Sequence, residues 1–476
     1  MKKILTITLI IIFKVGYSQL SDNELNKISL ENIKNTIDTL TSPSFEGRGI
    51  TAIDNLVKYF SNYYLELGLQ PIADNNFNQD FNFFSYLNYS NNSYLKIGNE
   101  KMTIGKDFIH SLSDFKFHYN YTREPIQSKL FFVGNSNQTN DSILNIHQIK
   151  GKVLVVFDQS RSLVEIAYRN GATGIIIIEP TKKWFNKTKQ NLEILGTAGG
   201  VLSYLQKDPL KRTFTRIHVT TETGAKILGV TKSKLKQYRK KYTGIEDSSM
   251  YKLESQIELN IHRKKKVYES ANLIGFIPGY EKNGEHIILS AHYDHLGKNE
   301  RGYFPGANDN ASGIASLLEI SRILSENYKA GIVPKRSILF IAFGMEEARL
   351  MGSKYYTENP ILPLSKLKAN INLDMIGRQD KYHLKESNYI YALGPDSISS
   401  GLNTLMDSIN NVYQFVKLEH LDNFPNAKKF FSKSSDQASF LNKGIPAILI
   451  TNGMQSDLHR FTDTKEKIYY PAVKNI

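Results

Sequence analysis

There is no cysteine in this 476-residue chain. No disulfide can form, and any metal must be held by nitrogen and oxygen rather than by thiolate. A chain this long buries enough apolar surface to do without cross-links, so the lack does not exclude export. Tryptophan is down to a single residue. Beyond the N-terminus no run has the length and apolarity of a membrane-spanning helix, and no repeats or low-complexity tracts stand out. Arginine-rich or aromatic-interleaved patches, the footprint of nucleic-acid binding, are missing as well. The net charge of +14 comes from lysines spread throughout. The densest basic stretches, residues 232–241 and 262–266, read as a solvated helix face and a strand end, so no nucleic-acid partner is expected.

What is present looks globular: 41% hydrophobic and 22% charged residues, over a length that calls for two or three domains. The N-terminus is the exception. Lys2 and Lys3 precede a short apolar run at residues 4–13, and Gly16-Tyr-Ser18 offers small residues before a cut. Residues 1–18 therefore read as a secretory signal peptide, too short for a comfortable membrane span. Its removal takes away three lysines and no acid, leaving +11. A periplasmic or secreted protein of a bacterium is expected.

Residues 23–40 and 55–67 carry apolar positions at helical spacing, and Gly68 closes the second helix. Between them lies the turn-rich Thr41-Ser-Pro-Ser-Phe-Glu-Gly-Arg-Gly49. From about Gln127 to Leu228 short apolar strands alternate with helical stretches and contain no cluster of carboxylates and histidines; His147 and His218 are isolated. From Ala271 onward the pattern is α/β, with strands over 272–277, 286–291, 336–343, 367–373 and 447–451 and a helix over 311–325.

Six chemistry-bearing side chains sit at or just after those strand ends or in the loops that follow, the edge where α/β sheets gather their sites. They are His292 in Ser290-Ala-His-Tyr-Asp-His-Leu-Gly297, Asp309 in Gly306-Ala-Asn-Asp-Asn-Ala-Ser-Gly313, the adjacent Glu346 and Glu347, Asp374 in Asn372-Leu-Asp-Met-Ile-Gly-Arg378, and His459 in Asp457-Leu-His-Arg-Phe-Thr-Asp463. Singly, each has an ordinary explanation: a satisfied polar residue, an Asx turn or helix cap, or exposed acids opening a helix. Together, two imidazoles and three carboxylates suit a pair of zinc ions, with one carboxylate left as a base. Asp294, two residues beyond His292, is expected to accept its ring N–H and fix the tautomer. Neighbours in extended chain point opposite ways, so Glu347 is read as a ligand and Glu346 as the general base. His295 is assigned no ligand role.

These motifs resemble peptidase family M28, the zinc aminopeptidases, from Asn272 to about Tyr470. Residues 41–81 resemble the N-terminal part of secreted bacterial members, and residues 127–252 the protease-associated (PA) domain many of them carry. The resemblance implies an α/β fold with a mixed central sheet flanked by helices and an inserted β-rich PA domain. The implied division is 19–125 for the N-terminal part of the peptidase domain, 126–255 for the insertion and 268–476 for the catalytic domain. It implies that Asp309 bridges two zinc ions, His292 and Asp374 completing one site, Glu347 and His459 the other, with Glu346 as base. The substrates would be peptides or proteins with a free N-terminus. An M28-like carboxypeptidase, with Arg378 as the carboxylate anchor, and a non-catalytic PA/M28-like binding protein are the alternatives. Two departures stand out. Gln437 in Ser434-Ser-Asp-Gln437 replaces a histidine common in the family, leaving Asp436 beside the ligands, and the chain ends at Ile476, where relatives usually add a closing helix.

Overall fold

The computed structural model describes residues 26–72, 76–89, 93–110, 125–135, 149–158, 161–199, 214–241, 252–261, 263–394, 396–421 and 425–476. The expected signal peptide, His147 and His262 lie outside them. Among the described residues the strands are β1 (Asn78–Tyr89), β2 (Tyr94–Ile97), β3 (Glu100–Thr103), β4 (Phe108–His110), β5 (Ile126–Gly134), β6 (Val153–Val156), β7 (Gly174–Ile178), β8 (Thr215–Val219), β9 (Lys252–Asn260), β10 (Arg263–Ile277), β11 (His286–His292), β12 (Lys298–Asn299), β13 (Gly302–Tyr303), β14 (Ser337–Phe343), β15 (Leu367–Leu373), β16 (Tyr389–Leu393), β17 (Lys417–Glu419) and β18 (Ala447–Thr451). The helices used below are α1 (Leu30–Leu40), α2 (Ile53–Leu67), α3 (Lys232–Lys241), α4 (Gly313–Lys329), α5 (Pro425–Phe431), α6 (Gln437–Leu441) and α7 (Tyr470–Asn475).

The strands form two eight-stranded sheets and a small β12-β13 hairpin. The first sheet runs β1-β10-β14-β11-β15-β18-β16-β17. Its four central strands, β14, β11, β15 and β18, are mutually parallel, while β1 pairs antiparallel with β10, β10 with β14 and β16 with β18, and β17 runs parallel to β16 at the edge. This is the mixed α/β sheet expected. Strands buried on both faces lose polar alternation, and β14 reads Ser-Ile-Leu-Phe-Ile-Ala-Phe accordingly. On one face α1, α2 and α4 bring Ile33, Ile37, Phe60, Tyr64 and Leu317 against Phe340. On the other, Phe440 of α6 packs with Ile288, Leu339 and Ile341.

Helix α1 shows how local code and packing agree. Ser29 caps it by accepting the Asn32 N–H at 3.1 Å. Ile33, Ile37 and Leu40 then fall on one face and are buried, each worth about 1.5–3 kcal/mol on full burial. Glu319 of α4 fastens the cap, accepting the Ser29 N–H at 2.6 Å and the Asn32 amide at 3.2 Å. At the far end of the chain α7 supplies a short C-terminal helix whose Val473 enters the same core.

The second sheet runs β3-β2-β9-β5-β6-β7-β8-β4, with β5 to β8 parallel. β2 pairs with β9 and β4 with β8, so this sheet takes in residues from Tyr94 and extends to Asn260. These pairings span more than a hundred residues and leave no local pattern. In this unit His218 is buried and bonded through Nδ1 to Glu179 at 2.7 Å, a structural pair. Lys232, Lys234, Lys236 and Lys240 of α3 are exposed, with Lys232 paired to Glu222 at 2.8 Å.

Candidate metal centre

Parallel neighbours end at the same edge of a sheet, and β14, β11, β15 and β18 deliver the candidate residues there. His292 is the last residue of β11. Asp374 directly follows β15, and Glu346 and Glu347 occupy the turn after β14. His459, left-handed at φ 58°, lies in the loop after β18. Asp309 belongs to a distorted turn, Ala307–Ser312, that opens α4.

That turn is held from several sides. Asn310 Oδ1 accepts the N–H of Gly313 at 3.0 Å and of Met375 at 3.2 Å, and its amide donates to Leu373 O at 2.9 Å. The capping work therefore falls to Asn310, which frees the Asp309 carboxylate. Asp463 accepts the backbone N–H of Asn308 and of Asp309, each at 3.1 Å. Gly306 is left-handed at φ 57°, and a Cβ there would run into Asp309 O, the His295 ring and Arg48.

All six side chains meet. His292 Nε2 is 3.4 Å from Asp309 Oδ1, 3.5 Å from Asp374 Oδ1 and 4.0 Å from Glu346 Oε2. His459 Nε2 is 3.2 Å from both Asp309 Oδ2 and Glu347 Oε2. The two oxygens of Asp309 thus face two different histidines. Ligands about 2.0–2.1 Å from a tetrahedral zinc are spaced about 3.3 Å apart, close to the 3.2–3.5 Å between each histidine and its carboxylate partners. No hydrogen bond reaches the buried Asp374 Oδ1 among the described residues, leaving an acceptor without a donor. The donor set, nitrogen and oxygen with no sulfur, suits zinc.

Electrostatics points the same way. Burial alone would lower His292, but Glu346, Asp374 and Asp309 overrule it and hold it well above its ordinary value. His459 is likewise raised to about 12, against the pull of burial, by Glu347 and Asp309. Protons on the two rings do the charge-balancing that cations would do. The two adjacent glutamates are driven apart. Burial, then Glu347, Asp374 and Asp436, lift Glu346 well above the carboxylate range although His292 opposes them. Burial and Asp309 push Glu347 up, yet His459 and His295 outweigh them and bring it down to about 2. Two carboxylates tuned to opposite states are the arrangement that separates a proton carrier from a ligand.

Three details differ from the sequence reading. Glu346 and Glu347 do not lie in extended chain: Met345 is left-handed at φ 60° and the segment turns at once. The Asp294 carboxylate does not bond the His292 ring, standing 3.8 Å away; the ring Nδ1–H donates to the Asp294 backbone carbonyl at 3.1 Å. That carboxylate instead accepts the N–H of Glu346 at 2.8 Å and of Glu347 at 3.2 Å, pinning the turn that carries both glutamates. His295, given no role from sequence, is buried at the second triad with Nδ1 2.8 Å from Glu347 Oε1.

The Ser-Phe-Glu-Gly-Arg-Gly loop contributes a residue that composition hides. Arg48 is fully buried and spends its donors on backbone carbonyls: Nε on Tyr293, Nη1 on Leu40 and Pro305, Nη2 on Gly306 and Asp309. Arg378 is half committed: Nη2 lies 2.8 Å from Asp457, while Nη1, 3.9 Å from Asp463, has no hydrogen-bond partner among the described residues. Gln437 is buried and structural, donating to Phe431 O at 2.8 Å and accepting from the Asn372 amide at 3.3 Å, which ties α5 to β15. Burial pushes neighbouring Asp436 up to about 6 while His292 pulls it down. A cavity of about 1010 Å³ opens between residues 378–384, Leu421, Phe431 and Met454–Ser456, with Arg378 in its wall.

The family whose profile matches is Peptidase family M28, over residues 272–476. Aminopeptidase YwaD of Bacillus subtilis (strain 168) is 37% identical over 110 residues, 23% of this chain and 22% of that protein. The chain spans only 17% to 22% of the length of the first curated relatives it matches. Among solved structures, an aminopeptidase from Aneurinibacillus sp. strain AM-1 superimposes with a TM-score of 0.57 at 21% identity, covering 95% of this chain and 92% of that one. BSAP, described as a zinc aminopeptidase from Bacillus subtilis, gives 0.54 at 18% identity over 94% and 92%. At these identities the two structures speak to the fold alone.

Proposed function

Given that residues 272–476 belong to peptidase family M28, we propose that this protein is a zinc-dependent aminopeptidase that releases N-terminal residues from peptides. The observation that carries the proposal is the pair of triads sharing Asp309, in which each histidine Nε2 stands 3.2–3.5 Å from its two carboxylate partners. His292, Asp309 and Asp374 would hold one zinc ion; Asp309, Glu347 and His459 would hold the other. Bound there, zinc supplies Lewis-acid polarisation of the scissile carbonyl and a water acidic enough to react near neutral pH.

The protein's own groups do the rest. Glu346 takes the proton from the attacking water and passes it to the leaving amine, a role its raised affinity for protons favours and one worth about 10²–10⁴-fold. Asp294 keeps Glu346 in place by gripping its N–H. The free α-amine of the substrate is held by the cluster's carboxylates. A carboxypeptidase needs a cation for the substrate carboxylate, and Arg378, the candidate, already pairs through Nη2 with Asp457 at 2.8 Å.

The second sheet unit is proposed as a PA-like domain, and export to the periplasm or medium rests on residues 1–18. Among the described residues no helix is long and apolar enough to cross a membrane. The test is a panel of leucine, lysine and alanine p-nitroanilides beside N-blocked, C-free peptides, run with and without chelator and after zinc is restored. Hydrolysis of the anilides alone, lost on chelation and regained with zinc, is expected. Cleavage of the blocked peptides alone would overturn the aminopeptidase assignment.

A further inference from the structure

His295 lies outside the five-ligand set and is nonetheless buried within it. Its Nδ1 is 2.8 Å from Glu347 Oε1 and 3.7 Å from Asp309 Oδ2. The other oxygen of Glu347 is the one that faces His459 Nε2, at 3.2 Å. The ring is set in place by its own backbone, whose N–H donates to Arg48 O at 3.0 Å. It is also set by the absence of a side chain at Gly306, where a Cβ would collide with it. Its remaining nitrogen, Nε2, is buried and has no hydrogen-bond partner among the described residues. An unpaired buried polar atom costs about 1–3 kcal/mol. A histidine kept only to fill the core would bond both nitrogens or give way to an apolar residue.

We propose that His295 is a positioning residue for the second cation: its Nδ1–H holds Glu347 Oε1, so that Oε2 stays turned toward Asp309 and His459 as a single-oxygen donor. This rests on the two-zinc reading above. The geometry makes the two sites unequal in kind. In the first triad the histidine is the braced member, its ring bonded to the Asp294 carbonyl. In the second the histidine is the loose member: His459 sits in a loop and its side chain is 48% exposed. The carboxylate must therefore carry the orientation, and a charge-assisted bond to a buried imidazole supplies it. Partners of metal ligands typically contribute 10–100-fold in metal affinity. Loss of His295 should thus weaken the Glu347 site by that factor and leave the His292 site nearly unchanged.

The experiment is a zinc titration of the metal-free full-length protein against a chromophoric chelator, resolving the two affinities, for wild type and for His295→Ala, His295→Asn and His295→Gln. Asparagine carries its amide nitrogen where Nδ1 stands, and glutamine where Nε2 stands. The expected result is two zinc ions on wild type, a 10–100-fold weaker second ion on His295→Ala and His295→Gln, and recovery on His295→Asn. Melting temperatures measured in chelator separate this from misfolding, because a folded variant with one weakened site still supports the proposal. Two unchanged affinities in His295→Ala, equal weakening of both ions, or no recovery with asparagine would each overturn the role of His295. A wild-type protein that takes up no zinc would instead overturn the two-zinc reading itself.

Discussion

Replacing Arg48 by methionine keeps most of the side-chain volume and removes every donor. In the native structure the guanidinium satisfies carbonyls of Leu40, Tyr293, Pro305, Gly306 and Asp309. These belong to the end of α1, the segment after β11 and the turn bearing Asp309, three stretches that also pack into one core. A buried acceptor left unpaired costs about 1–3 kcal/mol, so five independent losses would total roughly 5–15 kcal/mol. That is the whole stability of a typical domain, and it overstates the effect. Local relaxation and entering water repair part of it. The mutation also relieves the desolvation that pushes Arg48 down to about 10, a value at which it still keeps its proton at neutral pH. Removal of one member from a buried charged network costs about 3–5 kcal/mol, the range expected here. At roughly 2 °C per kcal/mol for a unit of this size, Tm should fall by about 6–10 °C. Differential scanning calorimetry in chelator reads this without a contribution from bound metal. Arg48→Lys, which restores charge but not the planar fork, should recover less than half. A Tm for Arg48→Met within 2 °C of wild type would refute the bracing role.

Glu346→Gln should keep wild-type zinc content while kcat falls by at least about 10²-fold, since only the proton carrier is lost; zinc analysis and anilide turnover check it together. Chelation should lower Tm as well as activity, because the cation that relieves the carboxylate cluster binds only the folded chain; at free zinc about 100 times Kd the gain is about 2.7 kcal/mol. Glu319→Gln should destabilise by about 1–2 kcal/mol at pH 7 through its bonds to Ser29, Asn32 and Arg322. Burial would raise Glu319, but those bonds hold it below the usual 4.5. Its contribution is therefore full above the usual value and vanishes as pH falls through the lowered one, so wild-type and variant Tm should converge in acid. Gly306→Ala should abolish binding of both zinc ions, because the Asp309 turn cannot close over a Cβ.

Much of the centre was readable because its chemistry is local. His292, Glu346, Glu347 and Asp374 each end or follow an apolar strand, and glycines mark the Asp309 turn, so residue type and position could be seen one segment at a time. The parallel order of β14, β11, β15 and β18 then brings those ends to one edge. What escaped acts across distance. Arg48 in a glycine-rich loop looks like a surface residue until its partners 245 to 261 positions away are known. Asp463 grips amides 154 and 155 positions back. Asp294 was expected to reach the His292 ring because it is near in sequence, yet backbone geometry turns its carboxylate to the glutamate turn. The start of the second sheet at Tyr94 was hidden for the same reason: β2 finds its partner in β9. His295 carried one usable hint, a second histidine in the same strand-end motif, but nothing in the sequence says that it faces Glu347.

The account stands or falls on where cations bind. Anomalous diffraction from crystals of the zinc-loaded protein, recorded on either side of the zinc edge, should give two peaks. One should lie among His292, Asp309 and Asp374, the other among Asp309, Glu347 and His459. A map with no peak against Asp309, or with zinc bound only elsewhere on the chain, would contradict it.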